Sequence, residues 1–156
     1  MRVNIGFALT QDEARGLDLA ARKAIIRERA ATIGGPVPRL LETLDAVDEL
    51  YFGALAQVRM PSWCHERVAL VGDAGYCPSP FTGQGTSLAL VGAFVLGREL
   101  VLSDGDHAAA FSRYEARMRP FVLVNQDLLF RDRQQPDADD LFNKAKTAID
   151  LADLLG

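Results

Sequence analysis

Asp73 ends the apolar run Val68-Ala69-Leu70-Val71 and is followed by Pro78, Pro80 and the stretch Gly83-Gln84-Gly85-Thr86-Ser87. A carboxylate at the end of a strand can accept hydrogen bonds from the vicinal hydroxyls of a sugar. Ligands of open α/β sheets bind outside the carboxyl ends of strands. The same Asp can instead organise the turn that follows it; local chemistry leaves both readings open. The prolines stiffen the loop, and Gly83 and Gly85 let its backbone take unusual angles and come close to a ligand. Gln84 offers a side-chain amide between them. A helix beginning near Gly85 leaves its first N–H groups unpaired and presents the positive end of its dipole. Phosphates and other anions bind such ends. Thr86 and Ser87 either donate to the same ligand or cap the helix. The implied chemistry is retention of an anionic, sugar-bearing ligand. No residue is assigned as catalytic, because no general base is paired with a nucleophile. No metal site is expected, since Cys64, Cys77, His65 and His107 share no metal-ligand spacing.

The elements that position this loop follow from periodicity. Residues 3–9 read as a strand. Thr10-Gln11-Asp12-Glu13 fits a capping box, and a helix should follow to about Thr32, with Leu17, Ala21, Ala24 and Ile25 as its apolar stripe. Gly34-Gly35 should stop it. Pro38 suits the first turn of a short helix carrying Leu40, Leu41, Leu44 and Val47. Residues 49–60, rich in aromatic and apolar side chains, read as another strand, and 61–66 as a loop. The short apolar run 68–71 reads as a strand buried on both faces, as in a parallel sheet covered by helices. A long apolar helix should run from about Gly85 to Val101. A second should run from Ala108 to Met118, with Pro120 either kinking it or opening the next. Residues 121–130 continue helically, 131–140 form a polar break, and a last helix carries Leu141, Ala145, Ala148, Ile149 and Ala152.

The fold class expected is α/β (α+β by content), helix-rich with a few short strands. The expected division is 1–66 and 67–156, together one compact unit. With 156 residues the chain can bury a real core. Its net charge of −4 excludes the basic face that a nucleic-acid binder needs. Two cysteines without a disulfide pattern suggest a reducing compartment, and a cytoplasmic location is the expectation. Residues 1–9 lack a signal-peptide pattern. Residues 88–102, broken by Arg98 and Glu99, fall short of the roughly 20 residues of a membrane span. They read as a buried helix, and no membrane partner is expected.

Gly72-Asp73-Ala74-Gly75-Tyr76, then Pro80, then Gly83-Gln84-Gly85-Thr86-Ser87-Leu88-Ala89, resembles the second FAD-binding motif of the flavoprotein aromatic hydroxylases, the para-hydroxybenzoate hydroxylase-like monooxygenases. Tyr51-Phe52 with Gln57-Val58-Arg59-Met60-Pro61 and Trp63 resembles the last substrate-domain strand and its exit. Tyr114-Glu115, Arg117 and Arg119-Pro120 resemble the helix beyond the flavin. The resemblance implies that Asp73 binds the FAD ribose near the pyrophosphate and that Pro80 sits beside the isoalloxazine. It implies that Gly85, Thr86 and Ser87 contact the ring's pyrimidine edge, with Gly83 and Gln84 in the same loop. A helix N-terminus there would stabilise the negative charge of reduced flavin. The implied activity is hydroxylation of a small aromatic or polycyclic substrate through a flavin C4a-hydroperoxide, with NADPH or NADH as reductant. Two departures stand out. Tyr76 replaces the family's usual His, and the family's Rossmann Gly-x-Gly-x-x-Gly does not occur. The chain therefore reads as the C-terminal part of such an enzyme, not active alone, with a partner chain or homo-oligomer completing the FAD site. The alternative is an inactive remnant or interaction module.

Overall fold

The computed structural model describes residues 11–53, 55–131 and 136–155. The expected strand at 3–9 and the Thr10 of the capping box lie outside them. The chain divides into two compact units, Met1–Ala54 and Leu55–Gly156.

In the first unit, α1 (Gln11–Ala14) and α2 (Leu19–Ala30) replace the single helix expected to Thr32. The break falls at Gly16, which takes φ +65°. Asp18 then restarts the helix, its carboxylate accepting from the Ala21 N–H at 2.8 Å. Helix α2 ends at Ala30, ahead of the glycine pair. Helix α3 (Val37–Thr43) carries Pro38 in its first turn, as expected. Arg27 and Lys23 tie α2 to Asp45, at 2.6 Å to the carboxylate and 3.0 Å to the carbonyl.

The second unit is built on two long helices, α5 (Gly85–Leu102) and α6 (His107–Asp127). The expected boundaries of α5 hold to within a residue. Asp106 caps α6 by accepting from the Ala108 and Ala109 N–H groups, both at 3.1 Å. Helix α6 runs through Pro120 without a break. Proline costs it the bond to the Ala116 carbonyl, but Phe121 and Val122 beyond it are core residues that hold the helix in place. The last helix is α7 (Ala138–Lys146), shorter than expected; Ile149 lies beyond it and still packs on the core.

The fold is helix-rich with few and short strands, as expected, and the sheet content gives the α/β label only loose support. Among the described residues there are two strands, β1 (Cys64–His65) and β2 (Val68–Ala69), paired antiparallel as Cys64 with Ala69 and His65 with Val68. Val68 is 61% exposed, so this run is an edge hairpin and not a strand buried on both faces. The described residues between 49 and 60 are not a strand. Their apolar content suits one, but a strand needs a neighbour to take its hydrogen bonds. Here the Val58 N–H goes to the Cys77 carbonyl, at 3.1 Å, and not to a strand partner. Among the described residues the protein is helix-rich with one small hairpin.

The core of this unit gathers Trp63, Tyr76, Leu88, Val95, Tyr114 and Met118. Trp63, expected as a packed exit residue, is 3% exposed, with its ring 4.5 Å from that of Tyr76.

Candidate functional site

Gly72 turns the chain from the hairpin into α4 (Asp73–Tyr76), a single helical turn not foreseen from the sequence. It takes φ +68°, and a Cβ there would stand 3.0 Å from the Ala89 Cβ of α5. Only glycine combines that backbone angle with that approach. The close approach brings Asp73 to the start of α5: its Oδ1 lies 3.5 Å from where a Gly85 Cβ would be. The Asp73 side chain is exposed, and Gly72, not Asp73, is the cap of α4, without a side-chain cap bond. The turn-organising alternative for Asp73 is therefore not used.

The loop between α4 and α5 is knitted from within. Ser79 sits at φ +79° although it is not glycine, and is 1% exposed. Its hydroxyl accepts from the Phe81 N–H at 3.4 Å and its carbonyl accepts from the Thr82 hydroxyl at 3.0 Å. The Thr82 oxygen in turn accepts from the Gln84 N–H at 3.2 Å. Pro80 opens the 3-10 turn Pro80–Thr82 and is exposed; Gly83 closes it at φ +67°. Ser79 and Thr82 escaped the sequence reading. Their signal was Ser-Pro followed by Thr, a hydroxyl cap with proline at the first helical position.

At the start of α5, no side chain caps the helix. Its first backbone bond runs from the Leu88 N–H to the Gln84 carbonyl at 2.9 Å. The N–H groups of Gly85, Thr86 and Ser87 precede it and have no helical acceptor. Thr86 and Ser87 are exposed, and neither serves as the cap. Gln84 is 5% exposed, and its Oε1 is buried with no hydrogen-bond partner. A buried amide oxygen left unpaired costs about 1–3 kcal/mol. The structure thus brings Asp73 to Gly85, beside Gln84, Thr86 and Ser87 at one helix end. This end combines N–H donors, a dipole favouring negative charge, an unused acceptor and a carboxylate.

The helix-beyond-the-loop residues hold this arrangement from behind. Tyr114 donates to the Leu70 carbonyl at 2.9 Å and pairs with the Tyr76 hydroxyl at 3.0 Å. Burial, then the Tyr76 hydroxyl, pushes the Tyr114 phenol well above its ordinary range. Gln126 donates to the Val58 carbonyl at 2.8 Å, and Gln57 donates to the carbonyls of Pro78 and Gln126 at 3.0 and 2.6 Å. Arg119 lies over the Trp63 ring at 4.5 Å and donates to the Met60 and Pro61 carbonyls at 3.2 and 3.0 Å. Glu115 accepts from Arg119, from the Ser62 hydroxyl at 3.0 Å and from the Trp63 N–H at 3.1 Å. Burial works to raise the Glu115 carboxyl; Arg119, Trp63 and Ser62 outweigh it and hold the group below its ordinary value of 4.5.

A depressed carboxyl stabilises the fold above its unfolded value and loses that contribution as pH falls through its folded value. Glu115→Gln should therefore be less stable than the parent at pH 7. The gap should close on acidification below about 4.5. Urea midpoints taken across that range test this; a constant gap would exclude titration of Glu115 as its source.

No family model matches the sequence. The chain is 44% identical over 109 residues to a flavin-dependent monooxygenase of Legionella longbeachae, and 48% identical over 109 residues to one from an unknown prokaryotic organism. Each match takes in 70% of this chain and 28% of the relative. A monooxygenase of Cercospora beticola is 39% identical over 132 residues, 80% of this chain and 32% of its own length. Among solved structures the chain is similar to the tetracycline destructase Tet(55), with TM-score 0.72 and 39% identity over 86% of this chain and 40% of that one. The chain spans about a third of the length of the curated relatives it matches. A 109-residue match in a 156-residue chain necessarily includes residues 48–109. Over a stretch that contains the whole of the Asp73–Ser87 site, the chain is similar to flavin-dependent monooxygenases.

Proposed function

We propose that residues 72–87 hold the flavin of a flavoprotein monooxygenase, and that the chain contributes part of that enzyme's cofactor site. The observation that carries this reading is the meeting of Asp73 with the uncapped N-terminus of α5, inside the stretch matched to flavin-dependent monooxygenases.

The residues present fit FAD. The ring's pyrimidine edge alternates carbonyl acceptors with an N–H donor. The N–H groups of Gly85, Thr86 and Ser87 are donors for the carbonyls. The unpaired Gln84 Oε1 is an acceptor for the N–H. The Asp73 carboxylate suits ribose hydroxyls, and Pro80 and Gly83 complete the loop against the cofactor. When bound, the flavin supplies oxygen transfer to a small aromatic or polycyclic substrate, with electrons from NADPH or NADH. The chain's own part is to place the ring and to favour negative charge at that edge through the helix dipole.

Titration of the purified protein with FAD, followed by flavin absorbance and fluorescence, tests the reading. Saturable binding with a rise in melting temperature is expected. Asp73→Ala should weaken it at least about tenfold, the loss of one hydrogen bond to a charged group, with unchanged circular dichroism. Equal affinity in the variant would remove Asp73 from the site, and no binding at all would sink cofactor retention by this chain.

A further inference from the structure

The chain that leads into the candidate cofactor loop is poor in backbone donors. Pro78 and Pro80 carry no N–H, and the bonds that knit the loop from within start at Ser79. The carbonyls just ahead of it, on Tyr76, Cys77 and Pro78, are held from outside the loop. Gln126 of α6, 2% exposed, donates from Nε2 to the Val58 carbonyl at 2.8 Å and to the Tyr76 and Cys77 carbonyls, both at 3.4 Å. Gln57 donates from Nε2 to the Pro78 carbonyl at 3.0 Å and to the backbone carbonyl of Gln126 at 2.6 Å. The two side chains therefore cross: Gln126 binds the backbone beside Gln57, and Gln57 binds the backbone of Gln126.

The direction of the Gln57 amide is fixed by a charge. Arg59 donates from Nε to Gln57 Oε1 at 3.0 Å, and its own Nη2 is held by Asp127 at 3.2 Å. A guanidinium has no acceptor, so only the amide oxygen can face it. The amide nitrogen is thereby turned to the two carbonyls, and both of its hydrogens are spent on them. The Gln126 carbonyl lies in the last turn of α6, where carbonyls lack a helical partner. One side chain thus joins the end of α6 to the residue ahead of Ser79.

We infer that Gln57 and Gln126 are positioning residues of the cofactor loop: their crossed amides fix the backbone of residues 76–78 and so aim the turn Pro80–Thr82, with Gly83 and Gln84, at the start of α5. They act through the backbone. Ser79 stands at φ +79°, a conformation that serine keeps only where its surroundings hold it. Its downstream side is held by Thr82, and its upstream side by the two amides. A Pro78 carbonyl that loses its donor moves, and Ser79 and Pro80 move with it. That this alignment serves a cofactor rests on the flavin reading of the loop.

Two substitutions at position 57, which is half-buried and outside the core cluster, test this. Gln57→Met keeps the length and volume of the side chain and removes the donor. Gln57→Glu sets a carboxylate oxygen against the Pro78 and Gln126 carbonyls. In FAD-free protein, the amide chemical shifts of Phe81, Thr82, Gly83 and Gln84 should be displaced in Gln57→Met and further in Gln57→Glu. Those of Val95, Tyr114 and Met118 in the core should stay. FAD affinity should fall at least about tenfold in Gln57→Met, as when a tenth of the molecules still hold the loop aimed, and further in Gln57→Glu. Gln57→Met matching the parent in both readouts overturns the inference, because Gln57 then only fills space. A lowered melting temperature with loop shifts and FAD affinity unchanged overturns it as well, since the bonds then stabilise without aiming. Displaced loop shifts with unchanged FAD affinity overturn the pair's role at the cofactor and leave the flavin reading standing. A parent that retains no FAD refutes the flavin reading alone, and the loop shifts still decide whether the amides set the loop.

Discussion

Gly92→Ala is expected to destabilise the protein by about 3 kcal/mol, the upper end for overpacking a rigid site, lowering the melting temperature by roughly 6–12 °C. A Cβ at position 92 would overlap the Tyr76 hydroxyl oxygen and stand 3.2 Å from the ring carbon that bears it. Tyr76 has no room to retreat: it is 1% exposed, packed at a tilt against the Trp63 ring and bonded to Tyr114. Tyr76→Phe removes the obstructing oxygen and by itself costs about 1 kcal/mol, one buried hydrogen bond. In the double variant the loss should be smaller than the sum of the two singles by more than about 1 kcal/mol. Simple additivity would show that the hydroxyl is not the obstacle. The consequence for the site is direct. Tyr76 closes the one-turn helix that Asp73 begins, so pushing it away from α5 also moves Asp73 away from Gly85. FAD affinity should fall in Gly92→Ala and recover in part in the double variant.

What could be read from the residues was what depends on nearest neighbours. The apolar run after Gly83-Gln84-Gly85 announced α5, and the helix expected from Ala108 matches the start of α6 to within a residue. The placement of Asp73 before a helix N-terminus was legible because strand, acid, loop and helix follow one another in the chain. Elements that depend on distant partners were not legible. Tyr51-Phe52 and Gln57-Val58 have strand composition, but Tyr51 is 94% exposed and the ladder it would need is absent among the described residues. Val68 and Ala69 pair with Cys64 and His65 instead of entering a buried sheet. Pro120 left two outcomes open, and what decided between them was packing: Phe121 and Val122 beyond it, and Arg119 ahead of it reaching back to Met60 and Pro61. The positive φ of Ser79 had no local sign, because serine seldom takes it; the bonds through Thr82 impose it. The fit of Tyr76 against Gly92 needed three dimensions.

The second large effect concerns Glu99, whose side chain is 2% exposed inside the α5–α6 contact. Arg113 Nε lies 2.7 Å from one of its oxygens and Arg117 Nε 3.4 Å from the other. Arg117 is itself clamped by Asp153 through two bonds of 2.9 and 2.7 Å. The sequence reading treated Glu99 as an interruption of an apolar helix; the structure makes it the charged anchor of that helix. The two sides of this cluster are unequal. The arginines are 47% and 26% exposed and can turn to water when Glu99 is gone. Glu99 cannot, so removing both cations strands a carboxylate in the interior. Arg113→Ala/Arg117→Ala should therefore cost about 3–5 kcal/mol, the range for breaking a buried pair. Glu99→Gln keeps the volume and an acceptor and should cost about 1–2 kcal/mol. Asp153→Asn, at an exposed carboxylate, should leave stability nearly unchanged. Urea unfolding of the variants at pH 7 gives the order. A Glu99→Gln loss equal to that of the double arginine variant would mean that the pairing, not the stranded charge, sets the energy. Because this contact fixes α5 against α6, it also fixes where the N-terminus of α5 points. FAD affinity measured on the folded fraction should change little in Asp153→Asn and most in the double arginine variant.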